Sequence, residues 1–220
     1  MHMNKKVIDA VIFDLDGVLA DTAHFHFLAW QQLALTQGID FDQAFNERLK
    51  GVDRMASLEL ILSQSNRVYT SEEKLELAQK KNAHYQQLTA TITPADLLPG
   101  AREALMAVRS AGIKTGLASV SKNAFFILEK LGIRDCFDDV VDAALLTHTK
   151  PHPEIFLTAA EHLGVVPANC IGIEDSLAGI SSIKSAGMFA LGIGSPAILT
   201  AADHVIADLS HFYLSDYALN

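Results

Sequence analysis

The sequence predicts an α/β fold in which a doubly wound parallel sheet carries a helical cap domain inserted after its first strand. Strand-like and helix-like patterns alternate from residue 101 to residue 193, as is typical of parallel strands joined by helices on both faces of a sheet. Between residues 23 and 91 only helical periods occur. These patterns indicate a Rossmann-like core formed by residues 1–22 and 94–220, and a four-helix cap formed by residues 23–93.

The first strand of the core is predicted by an apolar run over residues 7–8 and 10–13, which should be buried on both faces of the sheet. Cap helices are predicted over residues 25–33, 41–49, 54–62 and 71–88, and a capping pattern begins at Ser71. Residues 93–100 contain two prolines and a glycine, which is typical of a linker back to the core.

Each of the next four predicted helices ends at a glycine. These helices cover residues 101–111, 122–131, 153–163 and 176–186, and the strands between and after them cover residues 113–118, 140–141, 170–173 and 189–193. The tail should add an edge strand at residues 205–208 and a last helix at residues 210–219.

Composition excludes several classes of protein. The formal net charge of −9 argues against a nucleic-acid surface, which needs a clustered basic face. No apolar run is long enough to span a bilayer, and the N-terminal segment lacks a signal-peptide pattern. Two cysteines, Cys136 and Cys170, are too few for a disulfide framework. We therefore expect a cytoplasmic protein with no nucleic-acid or membrane partner.

Two carboxylates, Asp14 and Asp16, directly follow the first strand. Gly17 lets the backbone turn away there, so both acids should lie at the carboxyl end of a central strand, where open α/β sheets bind ligands. Buried carboxylates need a partner, and a divalent cation is a simple one. In phosphoryl transfer, Asp14 would attack phosphorus and Asp16 would donate and accept protons. A solvated turn explains this stretch alone equally well.

Three later loops place polar groups at the same edge of the predicted sheet. Ser119 and Ser121 precede a helix whose free backbone N–H groups can hold a phosphate. Lys150 lies on a proline-rich loop and could neutralise a phosphoryl group, although most lysines at helix starts are simply exposed. Glu174 and Asp175 end another strand and could bind Mg²⁺ with Asp14, although for this stretch read alone an acidic helix cap is the more common explanation.

Two histidines, His148 and His152, flank Lys150. Without a further ligand, such a pair is more often found on the surface than in a metal site, so no role is predicted for them.

In order and residue type, these four loops resemble the motifs of the haloacid dehalogenase-like superfamily. The matching stretches are FDLDGVLADTAHFHFLAWQ, LKGVDR, KKN, LASVSKN, TKPHPEIF and IGIEDSLAGI. The cap stretches narrow the resemblance to the sugar-phosphate mutases of that superfamily. The sequence departs from the usual pattern at Val120, where alanine is expected, and at His152, where a small residue is expected.

The resemblance implies a role for each matching residue. Asp14 matches the nucleophile, and Asp16 matches the general acid and base whose backbone carbonyl binds the metal. The remaining matches are Glu174 and Asp175 as metal ligands; Ser119 and Lys150 as holders of the transferring phosphoryl group; Ser121, Lys122 and Asn123, beside Val120, as contacts to a second phosphate or the sugar; Gly51, Val52, Arg54, Ser57, Lys81 and Asn82 as cap contacts to substrate; and Thr22, His26 and Trp30 as hinge residues, His26 linking cap closure to Asp16.

The resemblance also implies an activity, namely Mg²⁺-dependent interconversion of β-D-glucose 1-phosphate and glucose 6-phosphate. One Mg²⁺ per chain, an aspartyl phosphate and glucose 1,6-bisphosphate as priming intermediate belong to this expectation, with small sugar phosphates as partners and a monomeric protein. One alternative is a sugar-phosphate phosphatase, in which water attacks the aspartyl phosphate. Another is a phosphoaspartate sensor without turnover, which would gain little from the proton-transfer group Asp16.

Overall fold

A six-stranded parallel sheet forms the centre of the molecule in the computed structural model, which describes residues 8–217. The strand order is β3-β2-β1-β4-β5-β6, so the chain winds outward from β1 first in one direction and then in the other. The strands are β1 (Ala10–Phe13), β2 (Lys114–Leu117), β3 (Asp139–Val140), β4 (Cys170–Glu174), β5 (Phe189–Ile193) and β6 (His204–Ile206). This order confirms the predicted doubly wound sheet and places a topological switch point between β1 and β4.

Helices cover both faces of this sheet. Within residues 8–217 the α-helices are α1 (Thr22–Thr36), α2 (Gln43–Glu47), α3 (Arg54–Leu62), α4 (Ser71–Thr89), α5 (Ala101–Ser110), α6 (Ala124–Lys130), α7 (Glu154–Leu163) and α8 (Leu177–Ser185). Val11 and Phe13 pack in one apolar cluster with α5 and α6, while Ala10 and Ile12 pack in another with α7 and α8. The first strand is therefore buried on both faces, as its sequence predicts. None of the described helices is long and apolar enough to cross a bilayer.

The helices α1 to α4 form the helical cap, which has an apolar cluster of its own. Trp30 and Leu33 of α1 meet Leu58 and Ile61 of α3 and Leu77 of α4 in this cluster. Two bridges, Asp16 with Ala20 and Ala20 with Leu97, lie where the chain passes between the sheet and the cap. The cap is thus attached to the core by two adjacent crossings of the chain.

Several predicted helix boundaries in the cap are wrong. The helix predicted over residues 41–49 is a single short one, α2, because Phe41 and Leu49 are buried at its two ends rather than along one helical face. Helix α1 begins three residues before the predicted start. Helix α4 is capped by Thr70, not by Ser71: Thr70 Oγ1 accepts from Glu73 N, and Glu73 Oε2 accepts from Thr70 N.

The last predicted helix is also wrong within the described residues. Two 3₁₀ turns, Leu209–His211 and Leu214–Tyr217, take its place. Phe212 and Tyr217 stack with a centroid distance of 5.3 Å, and Tyr217 packs on Phe189 of β5. This aromatic packing holds the tail against the sheet edge in short turns. Residues 218–219 of that prediction, and Val7 of the first strand, lie outside the described residues.

We expect Thr70→Ala to lower the free energy of unfolding by roughly 0.5–2 kcal/mol, because the first turn of α4 loses its cap. Urea denaturation measures this change. Ser71→Ala, at the exposed neighbouring position, is the matched control and should change the free energy of unfolding much less. Equal losses for the two variants would show that Thr70 is not the cap.

Candidate active site

Three chain segments meet at the carboxyl ends of β1 and β4. Asp14 directly follows β1, and its backbone N–H donates to Ile173 O at 2.9 Å, so it lies beside Glu174, the last residue of β4. Lys150 enters from the loop before α7, and its Nζ donates to Asp14 Oδ1 at 2.8 Å and to Glu174 Oε1 at 2.5 Å. The side chain of Lys150 is completely buried. One ammonium group therefore joins two strand ends.

Burial and charge both change the proton affinities of this group. Burial raises the pKa of Asp14 well above its usual value, and nearby Glu174 and Asp16 add to this effect against the opposing charge of Lys150. Burial alone would lower the pKa of Lys150, but the Asp14 and Glu174 carboxylates outweigh it and raise that pKa. Lys150 is therefore a permanent cation, whereas Asp14 needs further positive charge to stay ionised.

The acidic residues around Asp14 fit a hard divalent cation. Asp14, Glu174 and Asp175 each offer a carboxylate oxygen, and these oxygens lie within 4.8 Å of one another. Burial, followed by the charge of Glu174, raises the pKa of Asp175 to about 7, as expected of acids gathered without enough positive charge. An all-oxygen set of carboxylates suits Mg²⁺. Two features favour glycine at position 17. Its φ is 84°, and a Cβ there would lie 2.3 Å from Asp175 Oδ2.

Asp16 points to the cap side of the site. Thr22 Oγ1, at the start of α1, donates to Asp16 Oδ1, and His26 Nε2 lies 3.6 Å from the same oxygen. Burial raises the pKa of Asp16, an effect that the hydrogen bond from Thr22 opposes. A carboxyl group with a raised pKa holds its proton more readily than an exposed aspartate does, which suits a group that donates and accepts protons.

Behind Asp16, the cap holds a buried lysine and histidine pair. Lys81 Nζ lies 2.7 Å from His26 Nδ1 and 4.5 Å from the ring centroid of Trp30. Burial, and then the charge of Lys81, lowers the pKa of His26 well below its usual value, so the ring is neutral. When Lys81 is protonated, its ammonium group can only donate, and the ring proton of His26 then lies on Nε2, facing Asp16. Nε2 has no hydrogen-bond partner among the described residues.

A second polar cluster joins cap and core away from Asp14. Arg54 Nη2 donates to Asn82 Oδ1 at 2.7 Å, and Asn123 Nδ2, from the N-cap of α6, donates to the same oxygen at 3.0 Å. In the turn before α6, Ser119 Oγ accepts from Ser121 N at 3.2 Å, and Ser121 Oγ accepts from Asn123 N at 3.3 Å. Two donors suited to an anion therefore converge on one amide oxygen.

The cap and core enclose a cavity of about 300 Å³, within the size range of small-molecule sites. Most of the predicted site residues line it: Asp14, Asp16, His26, Trp30, Gly51, Val52, Arg54, Ser57, Lys81, Val120, Ser121, Lys122 and Asp175. Behind these lining residues lie Thr22, Asn82, Ser119, Asn123, Lys150 and Glu174, which contact them directly or through one another. His152 is exposed and does not line the cavity, whereas Val120 does.

The cavity residues missed from the sequence include Lys50, Asp53 and Thr149. Lys50 Nζ lies 3.7 Å from Asp175 Oδ2, and Asp53 Oδ2 accepts from Thr149 Oγ1 at 3.4 Å, so both contacts join cap and core. A Cβ at Gly51 would lie 2.7 Å from Ser176 Oγ, so glycine there lets the cap approach the core closely. Lys50 and Asp53 lie within the matching stretch LKGVDR, which was the available signal.

We expect Lys81→Met to stabilise the protein most below about pH 7, with a gain that shrinks as pH rises toward 10.5. Burial lowers the pKa of Lys81 from 10.5 to about 7, so between these two pH values the unfolded chain binds more protons than the folded protein. Folding of the parent protein therefore becomes more favourable as pH rises, and the advantage of removing the buried charge shrinks. Urea denaturation at several pH values measures the difference. Lys80→Met, at the exposed neighbouring position, is the control. A gain independent of pH would contradict the assigned pKa.

Comparisons with known proteins agree with this arrangement. A model of the haloacid dehalogenase-like hydrolase family matches residues 8–187. Beta-phosphoglucomutase of Bacillus subtilis is 51% identical over 207 residues, which are 93% of this chain and 92% of that protein. A phosphorylated carbohydrates phosphatase of Thermotoga maritima is 34% identical over 82% of each chain. A crystal structure of beta-phosphoglucomutase from Clostridium difficile has a TM-score of 0.93 at 48% identity, covering 96% of this chain and 95% of its own. The chain belongs to the haloacid dehalogenase-like hydrolase family.

Proposed function

We propose that this chain interconverts β-D-glucose 1-phosphate and glucose 6-phosphate. The observation that carries the proposal is a cavity between cap and core with an anion-holding group in or directly behind its lining at each of two places: Lys150 beside Asp14, and Arg54 with Asn123 around Asn82. A mutase needs both, because its bisphosphate intermediate presents one phosphate for transfer while the other is held. The beta-phosphoglucomutases among the relatives support this choice.

Asp14 is the proposed nucleophile. Its carboxylate attacks phosphorus, the bond from phosphorus to the sugar oxygen breaks, and an aspartyl phosphate remains. Lys150, fixed 2.8 Å from Asp14 Oδ1, offsets the charge on the phosphoryl oxygens. Ser119 follows β2, the strand beside β1, and would supply a hydroxyl group. Asp14, Glu174, Asp175 and the Asp16 carbonyl would hold one Mg²⁺, which when bound supplies charge neutralisation for the phosphoryl group.

Asp16 is the proposed proton carrier. In the first transfer it takes the proton from the sugar hydroxyl that attacks the phosphoryl group on Asp14, and in the second it protonates the sugar oxygen that departs as the other phosphoryl group passes to Asp14. Thr22 and His26 both reach Asp16 from α1, so the position of the cap sets the hydrogen bonds of this carboxyl group. A small rotation of α1 would bring His26 Nε2 from 3.6 Å into hydrogen-bond range.

Cap closure decides between a mutase and a phosphatase. Contacts from Lys50, Gly51 and Asp53 to the core close the cavity beside Asp14, so the aspartyl phosphate meets a sugar hydroxyl rather than bulk water. Between the two transfers the sugar turns as glucose 1,6-bisphosphate and exchanges its phosphates between Asp14 and Arg54. Sugar-phosphate hydrolysis is the second candidate, favoured by the similarity to the Thermotoga maritima phosphatase.

The proposal extends to the state of the protein. Every group assigned to the reaction comes from one chain, which supports a monomeric enzyme. The free cysteines Cys136 and Cys170 support a cytoplasmic location.

One assay separates the two candidate activities. The protein is incubated with Mg²⁺, a trace of glucose 1,6-bisphosphate and β-D-glucose 1-phosphate, and glucose 6-phosphate and free phosphate are both measured. We expect glucose 6-phosphate to form in large excess over free phosphate. Free phosphate as the main product would establish the phosphatase instead.

We expect Asp16→Ala to lower kcat by roughly 10²–10⁴-fold, because the transfers lose their proton carrier. Mg²⁺ affinity, measured by calorimetry, should be largely retained because only the backbone of Asp16 is assigned to the metal. Asp21→Ala is the control, since Asp21 is exposed and its side chain makes no capping bond to α1. A parallel loss of Mg²⁺ affinity would show that the Asp16 side chain supports the metal site.

We expect Arg54→Ala to raise KM for β-D-glucose 1-phosphate by roughly ten- to a hundredfold, the effect of losing a charge-assisted hydrogen bond of about 1.5–3 kcal/mol. Phosphorylation of Asp14 by a small acyl phosphate should change little, because that reagent has no second phosphate. Arg48→Ala, at an exposed cap position, is the matched control. Equal losses with both phosphoryl donors would remove Arg54 from the distal phosphate site.

A further inference from the structure

Three metal-ligating side chains lie together on the loop that enters α7, on the outside of the molecule. His148, His152 and Glu154 each offer one ligand atom, and these atoms lie within 4.8 Å of one another. His148 Nδ1 is 3.0 Å from Glu154 Oε2, and His152 Nδ1 accepts from Glu154 N at 3.3 Å, so both histidines contact the same residue. The two imidazole rings stack with centroids 4.2 Å apart, and a rotation of these exposed side chains would turn their nitrogens toward one ion. Both histidines are exposed, so a solvated ion can reach them.

This ligand set differs in kind from the acids around Asp14. Two imidazole nitrogens and one carboxylate suit a borderline cation such as Zn²⁺, whereas an all-oxygen set suits Mg²⁺. In a tetrahedral zinc site with bonds of about 2.0–2.1 Å, neighbouring ligand atoms are about 3.3 Å apart. The separation between His148 and Glu154 is already close to that value. Two histidines and one glutamate with a fourth position left to water is an established zinc arrangement.

Backbone hydrogen bonds position the Glu154 carboxylate and the loop that carries both histidines. Glu154 Oε1 accepts from Thr147 N at 3.0 Å and Oε2 accepts from His148 N at 2.6 Å, and these hydrogen bonds, that from Thr147 first, lower the pKa of Glu154. The carbonyl of His152 accepts from Ser182 Oγ of α8 at 2.7 Å. Prolines at positions 151 and 153 restrict φ on both sides of His152. Little conformational freedom of the backbone would be lost on binding.

We propose that His148, His152 and Glu154 form a second metal site, for Zn²⁺ or a cation of similar preference, separate from the acidic cluster at Asp14. Lys150 lies between the two histidines but points inward to Asp14, so one short loop serves both sites from opposite sides. Because the ion binds only the folded loop, it stabilises the folded protein by mass action.

The test is a calorimetric titration of Zn²⁺ into the full-length protein in saturating Mg²⁺, which occupies the acidic cluster. We expect one Zn²⁺ per chain, bound about tenfold or more weakly by His148→Ala, His152→Ala and Glu154→Gln. His162→Ala is the matched control, since His162 is also exposed and lies 3.2 Å from a carboxylate, that of Asp139, but has no second histidine in this contact. Zn²⁺ affinity of this variant should equal that of the parent protein.

Co²⁺ provides a second readout that does not depend on activity. Bound by two histidines, a glutamate and water, Co²⁺ should give visible absorption bands, and the bands should disappear in His148→Ala and His152→Ala but persist in His162→Ala. Absence of Zn²⁺ binding in saturating Mg²⁺ would overturn the proposal. Binding that both histidine variants retain unchanged would overturn it as well.

Discussion

The buried ammonium group of Lys150 is the contact on which the site depends. Carboxylates in a water-poor region need compensating positive charge, and Lys150 supplies part of it through its contacts with Asp14 and Glu174. The same contact joins β1, β4 and the loop before α7, three segments that are distant in sequence. Removing the ammonium group would leave the carboxylates buried and unpaired, and removing the carboxylates would leave the ammonium group buried and unpaired. The same contacts therefore stabilise both the sheet edge and the position of Asp14.

The cap completes what the sheet edge begins. Parallel strands bring acids together at one edge, but they provide little to hold the far end of a substrate. Helices α1, α3 and α4 add a hinge hydroxyl, a guanidinium group and a buried lysine above the acids. Several contacts between cap and core are polar, such as those of Asn82 with Asn123 and of Asp53 with Thr149, which is the expected character of a surface that can open and close.

The sequence predicted those features that depend on neighbouring residues alone, such as the first strand and the acids that follow it. The apolar run before Asp14 is a strand buried on both faces, and the acids follow it as expected. Lys50 and Asp53 were missed because their partners come from the core, with Thr149 96 residues away from Asp53. No third ligand was predicted for the histidine pair. Glu154 comes close to it because its carboxylate folds back onto the N–H groups of residues 147 and 148, a contact that the sequence pattern does not reveal. Burial of Phe41 and Leu49 likewise shortened α2 in a way that periodicity does not reveal.

Arg54 and Asn123 both donate to the side-chain oxygen of Asn82. A ligand that binds these two donors must therefore replace Asn82 as their acceptor. An incoming group must outcompete a neutral amide for donors that are already satisfied, and a charged oxygen does so because ionic acceptors form the stronger bonds. A neutral sugar offers no such advantage, and the pair would stay with Asn82. If Arg54 holds the distal phosphate as proposed, selection for phosphorylated over free sugars follows from competition with a side chain of the protein itself.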